Sequence, residues 1–500
     1  MKLIRKLSRS DLVFMALFLV IAFFLFYRIG KASIHNGAQF WYTRTQNFIR
    51  AIRRQDWEDT FQNPKPGVSV MWLSGVSLEV FLSLYNQIFG FRPDIYTFET
   101  FPLVHLSVIG PLLIVGLSSL LTLYLILKKY LDHKAVILGI MLIGFQPFFV
   151  GISRDFHSDA SLSAFMLMSC LVSLYFLISS PKQRYMILSG VLASLAILSK
   201  SSGVFMFPYL GFLFLIDSLM RKKPILFYVK SYFIWILSLA LFFFISFPAM
   251  WLSPIGVLRS IFLDEGAYLV TTGRDGINGP LFYMGELVKV LSPIFIGSFI
   301  CGLIFFFKRF PKLNKVQKQV LLSALGFVVF YFLQMTLVSQ KMERYLFPVL
   351  PFAAVIGGYG IFGLIELIKK TRLKVILYGL FFAANFGFIM YFFPYYLLFP
   401  SEEGKDQFGC SLCADVGAYL NTKDKSADLK VISVSEKVHR LKPFVRGKVY
   451  TAHEILPEGW SADYLVKSKT EVMPEEYSYC GYETSIGFRG VDYWEIYRCK

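Results

Sequence analysis

The chain is 500 residues long, 55% hydrophobic, 18% aromatic and only 17% charged, which is too apolar for a water-soluble globule of this length. Its 51 Lys and Arg against 33 Asp and Glu give a formal net charge of +18. The basic residues fall in short clusters between long apolar runs, where they act as topology signals, and this excludes a nucleic-acid binder.

Lys2, Arg5, Lys6 and Arg9 precede an apolar run from Leu12 to Tyr27 with no small-x-small cleavage site after it. That order predicts an uncleaved first span with its N-terminus in the cytoplasm. The piece from 29 to 101 follows. It holds an amphipathic stretch from Phe40 to Trp57, a Pro-Lys-Pro-Gly turn at Pro64 to Gly67, and a half-apolar segment from Met71 to Phe89 read as lying along the interface. A further span there would invert the parity of every later loop.

Further runs long enough to cross lie near 102 to 127, 134 to 150, 160 to 179, 185 to 199, 203 to 220, 228 to 247, 287 to 307, 318 to 338, 346 to 368 and 374 to 397, for about eleven in all. Every even-numbered connection is basic: Lys128-Lys129, Lys182 with Arg184, Arg221-Lys222-Lys223, Lys308-Arg309 with Lys312, and Lys369-Lys370 with Arg372. The positive-inside rule puts these turns in the cytoplasm of a multi-pass plasma-membrane protein. Residues 29–101, 248–286 and everything after about Pro400 then lie outside.

After Pro400 the chain becomes charged, with strand-like runs at Leu429 to Val434 and Tyr464 to Val466 and a helical stretch through Val416 to Leu420. The expected fold is mainly α: a polytopic membrane domain over 1–399 and a small extracytoplasmic α/β domain over 400–500. Four of the six cysteines (Cys410, Cys413, Cys480, Cys499) lie in that domain. They favour two disulfides of unassigned connectivity over half of a zinc site.

Charge near hydrocarbon is costly unless it faces a cavity or a partner, so polar clusters at outer span ends are the candidate sites. The first outer loop offers His35, Arg44, Arg50, Arg53, Arg54, Asp56, Glu58, Asp59 and Lys65. The third and fourth spans meet at Ser153-Arg154-Asp155-Phe156-His157-Ser158-Asp159. Lys200 lies between the fifth and sixth spans, and Lys341, Glu343, Arg344 and Tyr345 between the ninth and tenth. Single charges at span ends commonly just anchor at headgroups, and Lys200 alone would be read so. The density of Asp155 to Asp159 exceeds what anchoring requires. Carboxylates for base work beside Lys and Arg suit group transfer from a lipid-linked phosphate donor. No P-loop and no dinucleotide fingerprint is present.

Five strings resemble the membrane-embedded glycosyltransferases of the protein O-mannosyltransferase and aminoarabinose transferase type, family 39-like with the C fold. They are Pro64-Lys-Pro-Gly-Val-Ser-Val-Met-Trp-Leu73, Ser153-Arg-Asp-Phe-His-Ser-Asp-Ala160, Leu195-Ala-Ile-Leu-Ser-Lys-Ser-Ser202, Phe247-Pro-Ala-Met-Trp251 and Lys341-Met-Glu-Arg-Tyr-Leu-Phe-Pro348. The resemblance implies transfer of a sugar, with inversion, from a polyprenyl-phosphate donor to a protein, lipid or glycan acceptor on the outer face. It also implies a role for Asp159 as the second-loop acid, and for Lys200, Arg344 and Tyr345 beside the donor phosphate.

Two positions depart from the family. Ser33-Ile-His-Asn-Gly-Ala-Gln-Phe-Trp41 has no carboxylate where the family usually carries the first-loop base, which leaves His35, Asp155 or Asp159 for that role, or an inactive protein. Lys65 stands where relatives often have His. His157 completes the catalytic candidates, and Arg44 and Lys65 the phosphate-binding ones. No cofactor is implied; the acidic residues leave a divalent cation open, though no ligand spacing demands one. Phe40, Trp41, Tyr42 and Trp57 read as interfacial belt residues. The alternatives are a secondary transporter, which would bind near the midplane, and an inactive lipid-binding scaffold.

Overall fold

The computed structural model describes residues 8–27, 29, 36–95, 99–264, 279–338, 341–392, 413–423, 429–434, 441, 445–452, 461–468, 472–488 and 491–499. His35 and Cys410 lie outside the described residues. Among those described, ten helices are long and apolar enough to cross a membrane, and a bent pair makes up to eleven. The chain is thus a multi-pass membrane protein. It divides into two compact units, Met1–Tyr27 with Trp41–Val76 and Gly110–Tyr396, and Arg28–Phe40 with Ser77–Ile109 and Leu397–Lys500.

The helices follow the apolar runs in order: α1 Arg9–Phe26, α2 Asn36–Arg54, α3 Val68–Phe89, α4 Phe101–Leu127, α5 His133–Gly144, α6 Pro147–Arg154, α7 Ser158–Ile178, α8 Gln183–Ser199, α9 Met206–Arg221 and α10 Ile225–Ser246. After these come Gly279–Val290, Pro293–Arg309, Lys315–Leu337, Leu350–Glu366 and Thr371–Phe392. Two elements differ from the sequence reading. Helix α3, expected along the interface, has the length and composition of a span. Its one charged residue, Glu79, which broke the apolar run, is engaged by Arg92 at 2.8 Å. The expected span near 185 to 199 is a helix of 17 residues, at the short limit for crossing.

Equally apolar helices occupy different places in the larger unit. In α7, 89% of an 18-residue stretch is buried, and in Glu343–Glu366 83%, against 22% in α10 and 11% in Thr371–Tyr391. Lipid tails are as apolar as Leu, so such burial needs close packing and polar contacts rather than hydrophobicity. Serines provide them: Ser169 donates to the Ser189 carbonyl at 2.8 Å, Ser173 and Ser189 share a hydrogen bond of 2.7 Å, and Trp235 donates to Ser189 at 3.1 Å. Helix Leu350–Glu366 is gripped through glycines, since a Cβ on Gly358 would lie 2.4 Å from Gly139 N and one on Gly360 2.3 Å from Gly302 N.

A break of 62° separates α5 from α6. Pro147 opens α6, and a proline there cannot donate back to α5. Gln146 at the break donates to the Val290 carbonyl at 3.0 Å and accepts from Ser292 N at 3.2 Å, tying it to a second interrupted helix. The break carries the end of α6 to the start of α7, where the polar string Ser153 to Asp159 lies.

The far end of α7, about 30 Å away at 1.5 Å per residue, is held by a buried carboxylate. Asp217 receives Tyr228 at 2.9 Å, Gln319 at 3.0 Å, Lys223 at 3.0 Å and Arg221 at 3.3 Å. The same two cations reach past it to cap α7, Arg221 donating to the Ile178 carbonyl at 3.0 Å and Lys223 to that of Leu177 at 2.8 Å. Lys128 pairs with Asp11 at 2.7 Å at the same basic end.

Within the smaller unit, helix Cys413–Lys423 accompanies a mixed five-stranded sheet of order β2-β1-β3-β5-β4. Its strands are β1 Lys430–Ser433, β2 Lys448–Thr451, β3 Tyr464–Ser468, β4 Gly481–Phe488 and β5 Val491–Arg498. β1 is parallel to β2 and β3, while β3–β5 and β5–β4 are antiparallel. Ile432, Leu465, Ala462 and Tyr477 form its core, and a disulfide joins Cys480 to Cys499. Tyr419 and Lys423 of the helix both engage Glu483, at 2.7 and 2.8 Å. The expected strands and helix are present; β2, β4 and β5 are additional.

Replacing Asp217 by Asn would leave Arg221 and Lys223 without their counter-charge. The expected cost is about 3 kcal/mol, the low end for a broken buried pair because both cations keep some solvent contact. It should appear as a lower unfolding temperature in lipid nanodiscs, and an unchanged value would show that the cluster does not hold the basic end together.

Candidate active site

Two segments distant in sequence converge with its own turn on Asp159. This residue sits in the first turn of α7 and is 1% exposed, where the helix N-terminus favours a carboxylate. Lys200, at the turn between α8 and the 3-10 segment Ser201–Phe205, places Nζ 2.6 Å from Oδ1. His157, the N-cap of α7, places Nδ1 2.8 Å from Oδ2. Arg344, in the 3-10 segment Glu343–Val349, reaches within 3.7 Å of Oδ2 through Nε. Its neighbour Tyr345 lies under the Lys200 ammonium, 4.1 Å from Nζ to the ring centroid, a cation–π contact that leaves the ammonium's other directions open to an anion.

The first outer loop closes over this cluster. Trp41 of α2 meets the His157 ring edge-on at 5.7 Å, and Tyr42 packs against Phe156 at 5.0 Å. Arg44 lies 4.4 Å over the Trp41 ring and donates to the carbonyls of Lys65 and, at 3.0 Å, Pro66. Gly67 has φ of +60°, and a Cβ there would lie 2.1 Å from Trp41; the turn therefore requires glycine. Beyond it, Ser69 and Ser199 share a hydrogen bond of 2.6 Å, which fixes the Pro-Lys-Pro-Gly turn beside Lys200. Trp72 donates to the Ser246 carbonyl at 2.8 Å and Trp57 packs on Trp251 at 5.1 Å, so the first loop is held against the end of α10 and the segment that follows it. Trp41 and Tyr42 are 5% and 1% exposed: both belong to the protein interior rather than to an interfacial belt. Phe40, 71% exposed, keeps a surface position.

Arg154 ties the site to α1. At the last turn of α6 it donates to the carbonyls of Phe24 at 2.6 Å, Tyr27 at 2.9 Å and Leu25 at 3.3 Å, the orphan acceptors of the α1 C-terminus. Nothing in the sequence marks this role, because the acceptors are main-chain atoms some 130 residues earlier.

The electrostatics favour an anion. Lys200 and Arg344 both lie against Asp159, and Arg344 and Lys65 both act on Lys200. Burial holds Lys200 below the ordinary lysine value, with Arg344 and Lys65 pressing the same way against Asp159. Burial also brings Arg44 down to about 10. His157 is pushed below the usual imidazole value by burial first and Arg344 second, against the pull of Asp159. Each shift marks a place where positive charge lacks full compensation. Among the described residues, no group of three or more His, Cys, Asp or Glu converges as a metal site would require.

Near the cluster lies a mostly apolar recess, a cavity of about 10 Å³, between α1, α4, α6, α7 and the Glu343–Glu366 segment. Leu25, Leu112, Leu113, Phe149 and Pro351 line it, with Ser163 and Ala164 from α7. Ser163 is four residues beyond Asp159 and therefore on the same face of the helix.

Of the residues singled out from the sequence, Asp159, His157, Lys200, Arg344 and Tyr345 are thus in one cluster. Arg44 and Lys65 lie in the loop that closes on it, and Asp155 caps the end of α6 on the same turn. The surroundings can hold a phosphate between cations and accept a proton, beside a recess lined mostly by apolar side chains.

The same arrangement of helices occurs in ArnT from Cupriavidus metallidurans bound to undecaprenyl phosphate, with a TM-score of 0.54, 13% identity and 97% of each chain covered. It occurs also in the apo oligosaccharyltransferase of Archaeoglobus fulgidus, with a TM-score of 0.51, 12% identity, and 87% of this chain and 64% of that one covered. The fold is the C fold of membrane glycosyltransferases. In sequence, residues 99–251 match the model of the family described as dolichyl-phosphate-mannose-protein mannosyltransferase. This C-fold segment contains Asp155, His157, Asp159 and Lys200. No curated protein sequence matches the chain.

Gly67→Ala should lower the unfolding temperature by more than the 1–2 kcal/mol or so of a left-handed alanine, because the new methyl displaces Trp41. In a Trp41→Leu background the added cost should shrink toward that backbone value. Additive effects of the two substitutions would show that the turn and the ring are not in contact.

Proposed function

We propose that this protein transfers a sugar from a polyprenyl-phosphate donor to an acceptor at the extracytoplasmic face of the cell membrane, by a single inverting displacement. The observation that carries the reading is the cation pair Lys200 and Arg344 around a buried carboxylate near a mostly apolar recess, in a fold shared with a protein solved with undecaprenyl phosphate bound. A polyprenyl phosphate has the two chemistries this arrangement serves, an anionic head and a long apolar tail. The orientation follows from the basic turns at the opposite end, which the positive-inside rule assigns to the cytoplasm. On that orientation residues 400–500 form an extracytoplasmic domain and residues 1–399 the membrane domain.

In the reaction the acceptor oxygen loses its proton as it attacks the anomeric carbon, and the anomeric carbon–oxygen bond breaks with its electron pair leaving on the phosphate. Lys200 and Arg344 stabilise the charge that grows there, Arg through a planar fork and Lys as a point charge. Asp159 holds Lys200 ready, so no reorganisation is needed as the bond breaks. Tyr345 sets the height of the ammonium. Lys65 and Arg44 add field from the closing loop.

A secondary transporter would need a polar site at mid-depth. Ser169, Ser173, Ser189 and Trp235, the polar groups midway along α7, α8 and α10, instead bond one another.

The test uses the full chain in lipid nanodiscs with a panel of polyprenyl-phosphate hexoses and pentoses, following release of polyprenyl phosphate. Lys200→Ala and Arg344→Ala should each lower kcat by about 10²–10³-fold, the scale for removing one charge-stabilising donor, and weaken undecaprenyl phosphate binding. Turnover equal to wild type in both variants would remove the site. A wild type that binds undecaprenyl phosphate but consumes no donor would favour a lipid-binding scaffold.

A further inference from the structure

We infer that His157 is the base that takes the acceptor's proton and that Asp159 acts through it as a positioning residue, an assignment that rests on the transfer reading above. The stretch that follows the first span provides no carboxylate for this task, since residues 29 to 54 contain no Asp or Glu, and Asp56, Glu58 and Asp59 beyond it are exposed. Asp159 is poorly placed to do it directly. Its Oδ1 is occupied by Lys200 at 2.6 Å, Arg344 stands 3.7 Å from Oδ2, and the residue is 1% exposed. A carboxylate paired with two cations is a weak base.

His157 has the geometry that Asp159 lacks. Its Nδ1 lies 2.8 Å from Oδ2 of Asp159. The carboxylate's negative charge at that distance favours an N–H over a lone pair on Nδ1, which leaves the ring's lone pair on Nε2. The ring is held from the opposite side by the edge of Trp41 at 5.7 Å, and its backbone is fixed as the N-cap of α7 at φ −146° and ψ 162°. The side chain keeps 14% exposure, enough to meet an acceptor that Asp159 cannot reach. Burial keeps the imidazole neutral at pH 7, the form a base requires.

The step balances. The acceptor's O–H proton passes to Nε2 while the oxygen's pair bonds to the anomeric carbon, and the leaving pair goes to the phosphate between Lys200 and Arg344. The imidazolium that results faces Asp159, which stabilises it until the proton is given to solvent. Among the described residues, the charged groups acting on His157 are Asp159 from its own turn, Lys200 from the α8 junction and Arg344 from the late 3-10 segment, with Lys65 acting on Lys200 from the first loop.

The experiment compares wild type, His157→Gln and Asp159→Asn in nanodiscs with the donor panel, and measures undecaprenyl phosphate binding separately. His157→Gln should lower kcat by about 10²–10⁴-fold while binding undecaprenyl phosphate within about twofold of wild type, and Asp159→Asn should lower kcat as well. The wild-type kcat should fall toward acid with a midpoint below the ordinary imidazole value of about 6.5, and that limb should be absent from the residual activity of His157→Gln. If wild type turns over donor and His157→Gln keeps kcat within about threefold, the assignment is overturned and the transfer reading survives. A wild type inert toward every donor overturns both. Should His157→Gln fail to fold, His157→Asn takes its place with the same expected and overturning outcomes.

Discussion

The ion pair between Asp159 and Lys200 is the constraint on which the rest of the site depends. It joins the start of the most buried helix to the junction of α8 and α9, at 2.6 Å and almost out of contact with water. A pair in such surroundings is costly to desolvate and still more costly to break, because either partner left alone is an uncompensated buried charge. Its presence therefore says less about stability than about position. It holds an ammonium at a fixed height, over a tyrosine ring and beside a guanidinium, where only a further anion would complete the balance. His157 and Arg344 share the second carboxylate oxygen, so one side chain sets three others.

The two ends of α7 illustrate how one physical rule is used for different purposes. At the basic end Asp217 is satisfied by Tyr228, Gln319, Arg221 and Lys223 together, and the cations also cap the helix. Nothing there is left for a ligand, and the cluster fastens helices to one another. At the other end cations outnumber carboxylates, and burial holds Lys200 and Arg44 below their ordinary pKa values. The surplus is what separates a site from a clamp. Between the ends, serines bonded to serines fill the polar requirement of the interior, which keeps α7 straight through about 30 Å.

Much of this was legible in the sequence, for reasons that can be named. Spans are long apolar runs, and the runs ending at Tyr27, Leu127, Ile178 and Ser246 read directly as helices. The polar string Ser153 to Asp159 stood out because charge at that density has no business beside hydrocarbon, and Lys200 and Arg344 because each follows an apolar run. What could not be read are contacts made across the chain. Trp41 looked like an interfacial aromatic because its composition and depth fit a belt; only the left-handed Gly67 packed against its ring reveals it as a wedge. Arg154 grips carbonyls, which carry no side-chain signature. Glu79 hid the apolar length of α3 because its partner Arg92 is on another segment. The bend at Gln146 was within a single apolar run, and Pro147 alone did not show that the run is two helices.

The account's central claim is that Lys200 and Arg344 receive the phosphate of a polyprenyl donor near the α7 recess. The most direct measurement is a cryo-EM structure of the full chain in nanodiscs with undecaprenyl phosphate. The account predicts phosphate density within hydrogen-bond reach of Lys200 Nζ and the Arg344 guanidinium, with tail density entering between Leu112, Phe149 and Ser163. Phosphate density at the basic end, or at the site end but away from both cations, would contradict it.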